Sequence, residues 1–185
     1  MNAFISDLDP DLAAAHLADP HVVKMATETA QVLCTVAQGA PWPVPGVACY
    51  HPTHTRHPVT VYAQQEVPYR WWLYRHGLAL CDEYAARFQR RHRAADVIEA
   101  VGRALHLDRE VPTGAALAQV LARAPLAMPE ACKRYDHDGQ PLVDQSYRAA
   151  LTDKYRAWAK SWRVATWTRT RPPHWLPLDV PRITK

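Results

Sequence analysis

Glycine is scarce in this 185-residue chain, six in all, and none falls in a G-x-x-x-x-G-K or G-x-G-x-x-G run. A phosphate-cradling loop of the P-loop or Rossmann kind is thereby excluded. The elbow G-x-S-x-G and the zinc pair H-E-x-x-H are missing as well, which removes two large hydrolase classes. The four cysteines (Cys34, Cys49, Cys81, Cys132) stand far apart with no C-x-x-C pair. That scatter argues against a disulfide framework or a cysteine-rich zinc module, and for reduced thiols in a cytoplasm. No apolar run reaches the roughly 20 residues of a membrane span, and MNAFISDLDPDL is acidic where a signal peptide is basic. Neither a membrane partner nor export is expected.

Lysine is sparse too. Of 22 cationic residues only five are lysine and 17 are arginine, and the net charge is +4. Arginine's planar fork suits bidentate phosphate contacts and stacking, which points to DNA as the partner. Genomic G+C bias also enriches arginine, alanine and proline, so composition alone leaves both explanations open. The length fits a single helical domain over 1–185, able to bury a core without disulfides or structural metal. No cofactor and no obligate protein partner is expected.

What is present is a strong helical period. In residues 16–38, Val22, Ala26, Ala30, Leu33 and Ala37 trace an apolar face. His21, Lys24, Glu28 and Gln31 fall at i, i+3, i+7 and i+10, so a base, a cation and a carboxylate share a second stripe. Asp19-Pro20 reads as an N-cap followed by proline at the first helical position. His21 then sits in the first turn, where the macrodipole favours a neutral imidazole fit to act as base or ligand. The alternative is a solvated helix face of mixed charge.

Elsewhere, residues 2–6 suggest a short edge strand or an extended arm, and 11–18 a short helix. Five prolines over 39–58 make a long loop. Residues 59–100 read as helix interrupted at Pro68, with Tyr69, Leu73, Leu80, Tyr84 and Phe88 as the buried stripe, widened by Trp72 and Leu78. Glu83 and Arg87 form an i,i+4 pair on its flank. Further helices are expected at 94–107, 114–124 and 145–162, with a loop over 125–144 and a proline-rich tail that wraps the surface after Thr166. The fold class is therefore mainly α, a compact bundle with long proline-rich loops and at most a short N-terminal strand.

Two clusters carry candidate chemistry. His51, His54 and His57 recur every third residue within a stretch that includes Cys49, a dense set of zinc- and iron-type ligands. No known zinc spacing is matched, and no metal is assigned. The C-terminal helix and tail interleave Tyr147, Arg148, Lys154, Tyr155, Arg156, Trp158, Trp162, Arg163, Trp167 and Arg169, as a phosphate-tracking surface with stacking platforms does. Trp158 and Trp162 at i,i+4 also suit a core with arginine stems lying over them. Lys133 and the cluster Arg87 to Arg93 add positive potential.

These residues resemble a small helical family of bacteriophage and prophage genomes. The likeness rests on Asn2, Phe4, Asp7, Asp9, Pro10, Ala13, Ala14 and His16, then His21 to Met25, Glu28, Gln31, Leu33, Cys34 and Thr35, then Thr53, His54, His57 and Pro58. Looser matches continue to the tail and cover most of the chain. This family lends a helical fold and a host-cytoplasm setting, but no activity.

Asp9-Pro10, Leu12, His16-Leu17 and His21 also resemble, more distantly, the opening of phage pyrimidine-dimer DNA glycosylases. Those are small helical base-flipping enzymes in which the N-terminal amine attacks the sugar, assisted by a carboxylate. Here Met1 precedes the bulky Asn2, and Val23 stands where that carboxylate belongs. Lys24 is then the candidate Schiff-base nucleophile, with Glu28 as the carboxylate.

The expected function is a DNA-acting enzyme that excises or modifies a pyrimidine base, with His21, Lys24, Glu28, His54 and His57 catalytic. Arg87, Lys133, Arg148, Lys154, Arg156, Trp158, Arg163 and Arg169 are the expected nucleic-acid contacts. Two alternatives stay open. One is a phage DNA hypermodification transferase joining an amine or amino acid to an activated pyrimidine. The other is a non-catalytic module binding nucleic acid or a host protein.

Overall fold

A computed structural model describes residues 2–37, 49–161 and 163–185. Sequence expectations for Met1, Trp162 and residues 38–48 of the proline-rich loop lie outside them. Among the described residues the chain is mainly α, in seven α-helices and one 3-10 turn. These are α1 Pro10–Ala15, α2 Asp19–Val36, α3 Pro58–Gln65, α4 Val67–Phe88, α5 Ala94–Ala104, α6 Gly114–Leu121, the turn Glu130–Cys132 and α7 Val143–Lys160. No helix among these is long and apolar enough to cross a membrane.

Helix α2 is the hub. It packs against α3, α4, α5 and the strand after α7, and its predicted apolar face (Val22, Ala26, Ala30, Leu33, Ala37) is wholly buried. Met25, Thr29 and Val32 are buried as well, so the helix is covered on more sides than one apolar stripe requires. Two of the few glycines permit this closeness. A Cβ on Gly77 of α4 would lie 2.8 Å from the Thr29 methyl on α2, and one on Gly102 of α5 only 2.2 Å from the Tyr74 ring.

Several boundaries differ from the sequence reading for identifiable reasons. Residues 2–6 form neither an edge strand nor a surface arm. Ala3, Phe4 and Ile5 are threaded into the core, and Asn2 Nδ2 donates to the Ala127 carbonyl at 3.0 Å. Asp9 caps α1 by accepting from the Asp11 and Leu12 amides. The cap of α2 is Ala18, with no side-chain cap bond, because the Asp19 carboxylate is engaged elsewhere. The 59–100 helix divides at Glu66, whose extended backbone (φ −112°, ψ 104°) precedes a new first turn at Val67-Pro68. Gln89, at φ +56°, ends α4 as a left-handed cap.

The tail does not merely wrap the surface. Residues 165–167 (β1, Ala165–Trp167) pair in parallel with 182–184 (β2, Arg182–Thr184), Ala165 opposite Arg182 and Trp167 opposite Thr184. Trp167, Leu176 and Val180 are buried in the same core as the helices.

The largest departure is Arg87. Sequence spacing puts it on a flank as a nucleic-acid contact, yet only 1% of its side chain is exposed, while Tyr84 and Phe88 are half-buried. Its pairing with Glu83 does form, at 2.6 Å, but inside the protein. The guanidinium donates to the Leu17 carbonyl at 2.7 Å, the Ala15 carbonyl at 3.1 Å and Asp19 Oδ1 at 3.2 Å. With two further bonds to Glu83 Oε2 at 2.8 and 2.6 Å, all five N–H donors of the group are matched. The carbonyls at Ala15 and Leu17 are the orphans left where α1 ends without a glycine, and Arg87 is their cap.

Replacing Arg87 with methionine is expected to cost about 3–5 kcal/mol of folding stability, since it strands the Asp19 carboxylate and the two carbonyls. Lysine, with three donors and no fork, restores only part of this. Urea unfolding midpoints of the three proteins measure it.

Candidate functional site

Between the start of α2, the N-terminal arm, the 3-10 turn and α7 lies an open cleft of about 690 Å³. Its walls include Phe4, His21, Lys24, Glu28, Lys154 and Trp158, with Met25, Met128 and Pro129 adding apolar surface and Arg163 a further cation. Helix α7, one wall of the cleft, packs on the 3-10 turn and β1.

Three of the five residues expected to be catalytic meet here. Lys24 and Glu28, one turn apart on α2, form an ion pair at 2.9 Å with the lysine 66% exposed and the glutamate only 14%. His21 lies a turn earlier, but buried, not on a solvated stripe. Its ring is flanked by Phe4 (centroids 4.8 Å apart) and Trp158 (4.9 Å). Burial, reinforced by Lys154 and Lys24, holds its pKa down to about 3, so the imidazole is neutral. The cause is desolvation first, where the sequence reading invoked the helix dipole.

The tautomer follows from the neighbours. The Tyr155 hydroxyl accepts the Ala18 amide at 3.0 Å and lies 3.1 Å from His21 Nδ1. Donation of the phenol proton to Nδ1 would use the hydroxyl's remaining valence and put the histidine proton on Nε2. Nε2 is buried and makes no hydrogen bond. His21 is thus a neutral imidazole whose Nε2 edge has no protein partner.

His54 and His57 do not line the cleft. His57 Nδ1 accepts from the Val59 amide at 3.2 Å and serves as the N-cap of α3. Burial lowers its pKa, and the Glu28 carboxylate opposes that shift, so the loop comes within electrostatic reach of the cleft without entering it. His54 is exposed, in the left-handed region at φ +54°, and contacts the Thr53 hydroxyl. Nor do His51, His54 and His57 converge as metal ligands. Among the described residues the one such grouping is Asp136, His137 and Asp138, at the surface.

The expected nucleic-acid contacts divide sharply. Lys154, Trp158 and Arg163 line the cleft. Arg148 donates to the Ser6 carbonyl at 2.8 Å and pairs with Asp7 and Asp144, and Arg156 pairs with Asp179 at 2.8 Å. Arg169 donates to the Arg87 carbonyl at 2.8 Å, and Lys133 pairs with Glu130 at 2.6 Å. These four cations are committed within the protein, and Arg87 is sealed inside it.

Lys154 is different in kind from Lys24. Its ammonium sits 5.6 Å above the Phe4 ring centre, and burial, together with Lys24, lowers its pKa while Glu28 partly opposes the shift. The sequence reading treated it as a phosphate contact because nothing in its local pattern announces an apolar neighbour 150 residues away. Phe4 and Tyr155 are the other residues that reading leaves out of the site. Phe4 holds φ +30°, a strained value for a bulky side chain, and that bend aims its ring between His21 and Lys154. Comparison with family models, curated proteins and solved structures gives no match to this chain.

His21 and His76 supply the pH test. Burial puts both near 3, against 6.5 in an unfolded chain, so the unfolded state binds more protons between those values. Their stabilising contribution is complete above about pH 6.5 and is lost progressively as pH falls toward 3. Unfolding midpoints measured across that range should fall with acid. The His21 and His76 ring resonances should stay unshifted through it while the fold persists.

Proposed function

We propose that the cleft receives an extruded pyrimidine nucleotide of DNA and that Lys154, not Lys24, attacks its sugar as an amine nucleophile. One observation carries this reading. Lys154 is the cleft's depressed-pKa amine, set over an aromatic ring beside a second lysine, with a carboxylate in electrostatic reach. An amine desolvated next to another cation is the arrangement that makes lysine nucleophilic near neutrality.

The step balances as follows. Neutral Nζ forms a bond to C1′, and the glycosidic bond breaks with its electron pair leaving on the base. The attacking nitrogen loses a proton to Glu28, the nearby carboxylate, which passes it to O4′ as the C1′–O4′ bond breaks, leaving a protonated imine on the opened sugar while the departed base takes a proton from solvent. On an abasic site the same amine condenses with the C1′ aldehyde and releases water. Trp158 supplies a stacking face for the base, the buried Phe4 backs the Lys154 ammonium, and exposed Lys24 and Arg163 supply positive potential for the flanking phosphates. The phage and prophage family resemblance, with its likeness to pyrimidine-dimer glycosylases, is part of the same proposal.

Borohydride reduction in the presence of abasic DNA should give a covalent protein–DNA product that disappears in Lys154→Ala and persists in Lys24→Ala. Because the Lys154 pKa lies below its ordinary value of 10.5, the trapping rate should rise with pH and level off short of that value. Absence of a Lys154-dependent product with base binding retained would instead favour the transferase reading. Loss of all salt-sensitive DNA binding would remove the nucleic-acid reading itself.

A further inference from the structure

Resting on the reading of the cleft as a pyrimidine site, we propose that His21 is held by Tyr155 as an obligate hydrogen-bond donor, and that its Nε2–H reads a carbonyl oxygen of the base. The geometry is complete on the protein side. Tyr155 is fully buried, and its hydroxyl is fixed by the Ala18 amide, so its proton has one acceptor, Nδ1. That leaves a buried imidazole N–H with no partner in a wall of the cleft. A native structure tolerates such a group when a ligand completes it.

The chemistry of the surroundings selects the kind of acceptor. Nε2–H is an uncharged donor between two aromatic rings, which suits a neutral carbonyl. Phosphate oxygens are better served by the exposed ammonium of Lys24 and by Arg163 at the mouth. Pyrimidines carry carbonyl oxygens on the edge exposed by extrusion from the duplex.

Access to Nε2 requires one side chain to move. Trp158, half-buried, forms a wall of the main cleft and also of a second hollow of about 360 Å³ shared with Pro20, Arg163 and Val164. It therefore borders a second empty space. Swinging into that space uncovers the His21 edge and keeps an aromatic face beside the incoming base.

The test uses the full-length protein and two single-stranded oligonucleotides, alike except that one carries a central thymine and the other 2,4-difluorotoluene, a thymine shape lacking carbonyl oxygens. Fluorescence anisotropy should show the wild type preferring thymine by about tenfold, the worth of one buried hydrogen bond. That preference should vanish in His21→Phe. Equal affinity of the wild type for both oligonucleotides would overturn the proposal. So would nitrogen-15 spectra of the wild type showing the His21 proton on Nδ1, a measurement that needs no variant to fold.

Borohydride trapping on abasic DNA, which has no base to read, separates the two ideas. Trapping with no thymine preference sinks the donor and spares the Lys154 chemistry. A thymine preference without trapping does the reverse.

Discussion

A single buried guanidinium organises this protein. Arg87 caps the carbonyls at the α1–α2 corner, pairs with Asp19, and so fixes where α2 begins. Asp19 in turn accepts the Thr168 amide and hydroxyl just after β1, and Arg169 returns to the Arg87 carbonyl. Three segments distant in sequence are thus tied at one point by charge-assisted bonds whose geometry tolerates little slack. A buried ionic network of this kind adds less net stability than its bond count suggests, because each charge was desolvated to make it. What it supplies is position.

That position passes directly to the cleft. With α2 anchored at Asp19, His21 lies two residues into the helix, and the tail holds α7 so that Tyr155 reaches both Ala18 and His21. Trp167 packs edge-on against Tyr155 at 5.4 Å, which joins the parallel strand pair to the hydroxyl that sets the histidine's tautomer. The proline-rich tail is therefore part of the site's support, two layers behind the groups that face the ligand.

How much of this was legible beforehand depends on the range of the interaction. Apolar spacing within 16–38 located α2 and its core face, because helical period is a local property. The i, i+3, i+7 stripe located Lys24 and Glu28 for the same reason. Arg87 was misplaced because a guanidinium among other arginines reads as surface, and only the carbonyls of residues 15 and 17 explain its burial. Lys154 was assigned to phosphate contact although its distinguishing neighbour is Phe4, and the strained φ at Phe4 has no sequence signature. His54 and His57 matched a motif but not the cleft, since a loop without a period carries no information about where its side chains converge.

Three of the basic groups in this cleft, His21, Lys24 and Lys154, do not carry independent charges. Lys24 disfavours the proton on Lys154, and both lysines disfavour one on His21, while Glu28 offsets part of the repulsion. Burial and these neighbours leave His21 neutral and bias Lys154 toward neutrality, while Lys24 pairs with Glu28. In the proposed complex, a DNA backbone brings negative charge that would push the Lys154 pKa back up and blunt the amine. Covering the cleft opposes this, because excluding water penalises the ammonium further, and the phosphates stay at the mouth where solvent screens them. In that proposed complex the amine lies over an aromatic ring with Lys24 and Arg163 as companion cations, a layout that would let a polyanion be held while the amine stays biased toward neutrality.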